Sequence, residues 1–383
     1  MNNLRWQHSV LMRNNEVPEF WKQHFTSSSK LLFVLGKGFD PRMTLGIENI
    51  LSEVPEVKLE CLLIEFDEGR NSPSTRYKDL VTSNNDKLTK LVNNITHKKI
   101  SAWSKKGGKK MRVGDRQAAQ LIFEILPEHD YTDIIVDISA LPRSIYFAII
   151  GKMLAIIDDD IADKKKSPNF FVMAAENVNI DYQIVEEELD DDLGYQHGFA
   201  STLDSVADDR PVIWLPLLGE RKAAQLERAY QFISPSEVCP ILPFPSKDPR
   251  RSDNIFIEHQ ETLFDVLKTE AQNIMYVPEQ NPFEVYKKLI STIDNYHNSL
   301  SVLKGSKAVL STFCSKLLSI GALLAAYELT YPHNPVAVGD RLDVGVLHVD
   351  SQGYNIDDPA ALQAMRDKSE LFVIWLTGTP YDD

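Results

Sequence analysis

Two short stretches of the chain bring acid, hydroxyl and guanidinium groups together at what read as helix starts. One is GKGFDPR, with Gly36, Lys37, Gly38, Asp40 and Arg42. The other is DISALPR, with Asp137, Ser139 and Arg143. Each ends in Pro-Arg, and proline suits a first helical turn because its missing N–H costs nothing there. An arginine that follows stands beside backbone N–H groups at the positive end of the helix dipole, an arrangement that holds phosphate or carboxylate. Ser139 is placed to cap a helix or to donate to a phosphate, and Asp137 to cap or to orient Arg143 by an ion pair. Ordinary capping also accounts for Asp, Ser and Pro at such places, and both readings stay open here.

Three further loops have similar content. PFPSKDPRRSDN (243–254) holds another Asp-Pro-Arg, with Arg250 and Arg251 adjacent. Paired guanidinium forks suit phosphate or carboxylate. STFCSK (311–316) offers Ser311, Thr312, Ser315 and Lys316, and LLGERK (217–222) offers Gly219 and Arg221. Each also reads as a surface turn. Established catalytic motifs are missing from the sequence. GKG lacks the spacer and the Lys-Ser/Thr ending of a P-loop, and Pro41 stands where a dinucleotide fingerprint needs its third glycine. Glu65 or Asp67 in LLIEFDEG would suit ribose hydroxyls, at a longer distance from Gly36 than the usual ~20 residues. There is no His-Glu metal motif and no G-x-S-x-G turn. His259 reads as a packed or surface histidine, and Cys314 as buried packing.

The elements that must position these loops alternate. KLLFVLG (30–36), VKLECLLIEF (57–66), a stretch near 99–103, DIIVDIS (133–139) and NFFVMAAE (169–176) read as strands with helices between them. PVIWLPLLG (211–219), EVCPILPFPS (237–246), NIMYVP (273–278), KAVLSTFCSK (307–316), DVGVLHVD (343–350) and LFVIWLTG (371–378) continue the pattern. The fold class is therefore α/β: two successive Rossmann-like, doubly wound units with mostly parallel sheets. Residues 1–30 form an N-terminal helical arm anchored by Trp6, Phe20 and Trp21. The expected domains are 1–205 and 206–383, divided in the acidic stretch that starts at Glu186. In such sheets ligands bind beyond the strand C-termini where strand order reverses. The loops after the first and fourth strands of a unit, GKGFDPR and DISALPR, should then be neighbours.

The 383 residues are 43% hydrophobic and 25% charged, as in ordinary globular proteins. No apolar run reaches membrane-spanning length, and the N-terminal residues lack the apolar core of a secretory signal. Cys61, Cys239 and Cys314 lie far apart, with neither metal-ligand spacing nor a disulfide framework. These features point to the cytoplasm. A formal net charge of −14 opposes non-specific nucleic-acid binding. Nucleic acid would be reached only through the basic stretch 97–117, which also reads as a solvated hairpin.

The segment VDISALPRSIYFAIIGKMLA, with LSTFCSKLLSIGALLA in the second half, resembles the corresponding segments of CRISPR-associated Rossmann-fold (CARF) nucleotide-sensing domains. The resemblance implies cyclic oligonucleotide binding at Asp137, Ser139 and Arg143 with Gly36, Lys37 and Gly38, and at Ser315 and Lys316. SALPR departs from the Gly-Gly/Ser-Thr-Lys type of turn usual in that family, and no effector nuclease motif follows. The expected function is a nucleotide- or phosphate-binding sensor or accessory subunit of a bacterial defence or signalling complex, with a small phosphorylated ligand and a protein partner. The identity of any cofactor is left open by the sequence. The alternatives are an enzyme acting on a nucleotide or phosphosugar, with Asp40 or Asp137 as base, and a scaffold without ligand.

Overall fold

The computed structural model describes residues 4–69, 72–106, 109–126, 130–189, 193–200, 203, 208–331 and 342–381. In chain order the first elements are β1 (Val10–Arg13), α1 (Glu16–His24), β2 (Lys30–Lys37), α2 (Leu45–Glu53), β3 (Lys58–Asp67), α3 (Lys78–Leu91), β4 (Ile95–Ser101), a hairpin of β5 (Trp103–Lys106) and β6 (Lys109–Arg112), and α4 (Gly114–Ile125). Next come β7 (Asp133–Asp137), α5 (Arg143–Ala162), β8 (Asn169–Glu176), α6 (Val178–Gln183), β9 (Ile184–Leu189) and β10 (Gly194–Tyr195). They are followed by β11 (Val212–Leu217), α7 (Ala223–Ile233), β12 (Glu237–Val238), β13 (Ile241–Pro243), α8 (Arg251–Glu261), β14 (Met275–Val277), α9 (Pro282–Ser299), β15 (Lys307–Thr312) and α10 (Lys316–Thr330). The chain closes with β16 (Asp343–His348), β17 (Ser351–Ile356), α11 (Pro359–Met365) and β18 (Glu370–Thr377).

The chain forms two compact units. The first comprises residues 9–188 and 351–383, the second residues 1–8 and 189–350. This differs from the contiguous 1–205 and 206–383 division expected from element order. The reason lies in β18, which joins the first sheet by pairing antiparallel with β8 and β1. Strand composition announces burial but not which sheet a strand completes. The helical arm expected over 1–30 is instead β1 followed by α1, and residues up to His8 belong to the second unit. Trp6 and Trp21 are both fully buried, as anchors should be.

The first sheet runs β1-β18-β8-β7-β2-β3-β4. The five strands from β4 to β8 are parallel, in the order 3-2-1-4-5 by chain rank, and antiparallel β18 and β1 complete the other edge. The second sheet runs β10-β16-β15-β11-β13-β14, and its five parallel strands repeat the same order. Strands of such sheets are covered on both faces and read as continuous apolar runs. β7 is buried at all five residues, and β15 at all six. α10 is apolar nearly all round and mostly buried, and α5 is buried through most of its N-terminal half from Ser144 to Ile150, as helices packed within a core must be. At the N-terminal end of β7, His24 Nε2 lies 2.6 Å from Asp133 Oδ1, which fastens α1 to the sheet.

The placement of β18 has a direct test. Ile374 is fully buried, so Ile374→Ala should destabilise its unit by about 2–5 kcal/mol. Hydrogen exchange should then show protection lost across β8, its pairing partner, while β15 and β16 keep theirs.

Candidate functional site

In both sheets the strand order reverses between the first and fourth strands of the parallel set. In the first unit those strands are β2 and β7, so GKGFDPR and DISALPR do lie side by side. Their contact is backbone on backbone. A Cβ added at Gly36 would sit 2.8 Å from the Ala140 carbonyl oxygen and 2.8 Å from the Leu141 side chain. Only glycine allows that approach. At Gly38 the nearest such distance is 3.7 Å, an ordinary contact.

Four of the polar groups singled out in the sequence build this corner from within. Asp40 caps the short 3-10 turn Pro41–Thr44, accepting from the Arg42 N–H at 2.9 Å. Its carboxylate also accepts from the Arg42 guanidinium, with Nε shared between Oδ1 at 3.0 Å and Oδ2 at 3.1 Å and Nη2 on Oδ2 at 2.7 Å. Arg42 further donates to the Ala175 carbonyl at 3.1 Å and pairs with Asp181 at 2.8 Å. Burial opposes the charge of Arg42, but the carboxylates of Asp181 and Asp40 outweigh it and hold the guanidinium protonated beyond its ordinary range. At 2% exposure Arg42 is a bolt between loop and sheet, where the sequence suggested an anion ligand.

Asp137 accepts from the Ser139 N–H at 2.8 Å, and Ser139 Oγ accepts from the Ala175 N–H at 2.8 Å. Both residues are buried. Ala175, near the end of β8, thus receives one loop at its carbonyl and the other at its N–H. The Ser139 hydroxyl thus serves the sheet as an acceptor. Nothing in the sequence marks Ala175 or Asp181 as these anchors, because the first acts through its backbone and the second sits on a short surface helix.

Arg143 is different. It is the first residue of α5, half-buried, with Nε donating to the Tyr146 hydroxyl at 3.4 Å. Pro142 occupies the N-cap position, and no side chain caps the helix. Alongside, across the ends of β2, β3 and β4, runs a ladder of ion pairs. Lys37 meets Glu65 at 2.6 Å, and Lys99 meets Asp67 at 2.8 Å. The Lys99 hydrogen bond and the Gly69 N–H hold the Asp67 carboxyl below the usual carboxylate range. Glu65 and Asp67, the acids considered for ribose, therefore face lysines.

The second unit repeats the plan at β11 and β15. A Cβ at Gly219 would meet the Phe313 carbonyl at 2.4 Å. In each unit the blocking carbonyl lies three residues before the basic first residue of the next helix, Ala140 before Arg143 and Phe313 before Lys316. Ser315 caps α10 by accepting from the Leu318 N–H at 3.4 Å. Arg251 is buried in a two-pronged pair with Glu220, at 2.9 and 3.0 Å, and also bonds Glu279. Its neighbour Arg250 is exposed, and its guanidinium has no partner among the described residues. Of the two arginines, only Arg250 keeps the anion-ligand role open. Ser311 accepts from Trp214 Nε1 at 3.0 Å, Cys314 is buried, and His259 is fully buried with Nε2 2.8 Å from the Gly219 carbonyl. The side chains at 105–110, the centre of the basic stretch, lie outside the described residues. Among the described residues no cluster of His, Cys, Asp and Glu could hold a metal ion, and no helix is long and apolar enough to cross a membrane.

No family model and no curated protein matches the chain. Among solved structures it is similar to a Listeria monocytogenes protein named as a UDP-N-acetylglucosamine 2-epimerase. The identity is 12%, 76% of this chain and 75% of that chain are covered, and the TM-score is 0.22.

The two glycines of the first loop should respond differently to substitution. Gly36→Ala forces its methyl into a backbone carbonyl and should cost about 1–3 kcal/mol in denaturant unfolding. Gly38→Ala should change stability by less than about 1 kcal/mol. Arg42→Ala leaves Asp40 buried without its cation and should cost about 3–5 kcal/mol.

Proposed function

We propose that the first unit binds a phosphorylated small molecule or nucleotide at the reversal point between β2 and β7. One observation carries the reading. At that point Arg143 is half-buried as the first residue of α5, a helix start that no side chain caps, at the C-terminal edge of the sheet. A cation beside the positive end of a 20-residue helix favours an anion, and the strand C-termini are where doubly wound sheets take ligands. Local charge does this work against an overall charge of −14, so binding should weaken as salt screens the site. A sensor or accessory-subunit role extends this reading, as the resemblance to nucleotide-sensing domains implies.

The experiment is thermal unfolding against nucleotides, cyclic oligonucleotides, NAD and sugar phosphates. A ligand at ~100 Kd stabilises the folded state by about 2.7 kcal/mol. The wild type should show that shift with at least one compound, Arg143→Ala should lose it, and Lys166→Ala, an exposed charge elsewhere, should keep it. No shift with any compound, or an equal shift in Arg143→Ala, would overturn the reading.

A further inference from the structure

The C-terminal edge of the second sheet holds another set of groups, which the binding reading leaves unused. β16 ends in His348, and Asp350 follows two residues later. His348 Nε2 lies 2.9 Å from Asp350 Oδ1, with side-chain exposures of 14% and 16%. The other ring nitrogen, Nδ1, has no hydrogen-bond partner among the described residues and is not sealed from solvent. A carboxylate on one imidazole nitrogen fixes the ring and leaves the other to take up a proton, which is how a base is paired with its orienting group.

Placement adds to chemistry. β16 pairs in parallel with β15, with Leu347 opposite Ser311. His348 is one step further in that register, level with Thr312, where the chain turns into α10. Leu347 and Val349 belong to the core cluster that holds Trp214 and Leu242, so by strand alternation His348 faces the other side of the sheet. No residue of α10 belongs to that cluster, and α10 packs on β15 and β16. Its first residue is Lys316, behind the Ser315 cap. The base and a cation therefore share one end of the same two strands, on the edge where this fold takes ligands. Asp40 and Asp137 are buried in hydrogen bonds within the first unit and are poorly placed for that task.

We propose that the second unit hydrolyses a phosphate ester or anhydride, with His348 as proton acceptor, Asp350 as its positioning residue and Lys316 as the countercharge for the phosphoryl group. The inference takes its ligand class from the proposed function and adds a reaction at a separate place. Water gives a proton to His348 Nδ1 as its oxygen bonds to phosphorus. The phosphorus–oxygen bond to the leaving group breaks, and the leaving oxygen keeps the electron pair. That oxygen then takes the proton from His348. Ester plus water becomes alcohol plus phosphate, and no further reactant is needed.

The test uses the full chain with p-nitrophenyl phosphate, bis(p-nitrophenyl) phosphate and ADP as probes. The wild type should hydrolyse at least one of them. His348→Gln should lower kcat about 10²–10⁴-fold, and Asp350→Asn should lower kcat with little change in KM. Diethyl pyrocarbonate should modify His348, and inorganic phosphate should slow that modification; both are read by mass spectrometry on folded wild type and so do not depend on a variant folding. Hydrolysis of none of the three probes, an unchanged rate in His348→Gln, or a His348 inert to the reagent each overturns the proposal. A thermal shift that depends on Arg143, with no hydrolysis, sinks this inference and leaves the binding reading standing. Hydrolysis that depends on His348, with no ligand-induced shift, does the opposite.

Discussion

The close approach of two backbones at each reversal point is the constraint on which the rest of the molecule depends. Gly36 lies against the Ala140 carbonyl, and Gly219 against that of Phe313. In each unit this contact sets how far apart the first and fourth strands release their chains, and so where α5 and α10 begin. A side chain at either glycine would push the loop outward and move the basic first residue of the helix. The same spacing, carbonyl to base in three residues, appears in both units although their sequences differ. Geometry of the parallel sheet, rather than residue identity, is what repeats.

Around that contact the charged residues divide by burial. Arg42, Asp40 and Asp181 in the first unit, and Arg251, Glu220 and Glu279 in the second, form pairs that tie loops to the ends of strands. A buried pair is weak evidence for stability, since desolvation consumes much of the Coulomb attraction. Its strength is directional: a bidentate guanidinium fixes an angle that apolar packing leaves loose. Arg366 does similar work, donating to the Pro41 carbonyl at 2.8 Å and to the Thr44 hydroxyl at 3.0 Å. With the loops held from inside, the half-open cations Arg143 and Lys316 sit on rigid starts.

Much of this was legible in the chain. The apolar runs at 30–36, 133–139 and 169–176 gave strands at their observed places, because burial on both faces leaves an unmistakable composition. The parallel order followed from β-α alternation, and with it the neighbourhood of GKGFDPR and DISALPR. The return of β18 to the first sheet was not legible, since pairing partners are set by space and not by periodicity. Nor was the difference between Arg42 and Arg143. Both follow a proline in a similar loop, yet Asp40, two residues upstream, captures the first guanidinium, while Asp137 turns its carboxylate to the Ser139 N–H. His348 and Asp350 both fall in the run 343–350 that reads as a strand, and a His-x-Asp spacing acquires meaning only when the backbone folds the two side chains together.

Hydrogen exchange with and without a stabilising phosphorylated ligand tests the central claim most directly. The account predicts slower exchange in peptides spanning 36–44 and 138–146, the two loops at the first reversal point, with little change at the N-terminal ends of β2 and β7. Protection confined to the opposite edge of the sheet, or absent from both loops while the ligand is bound, would contradict it.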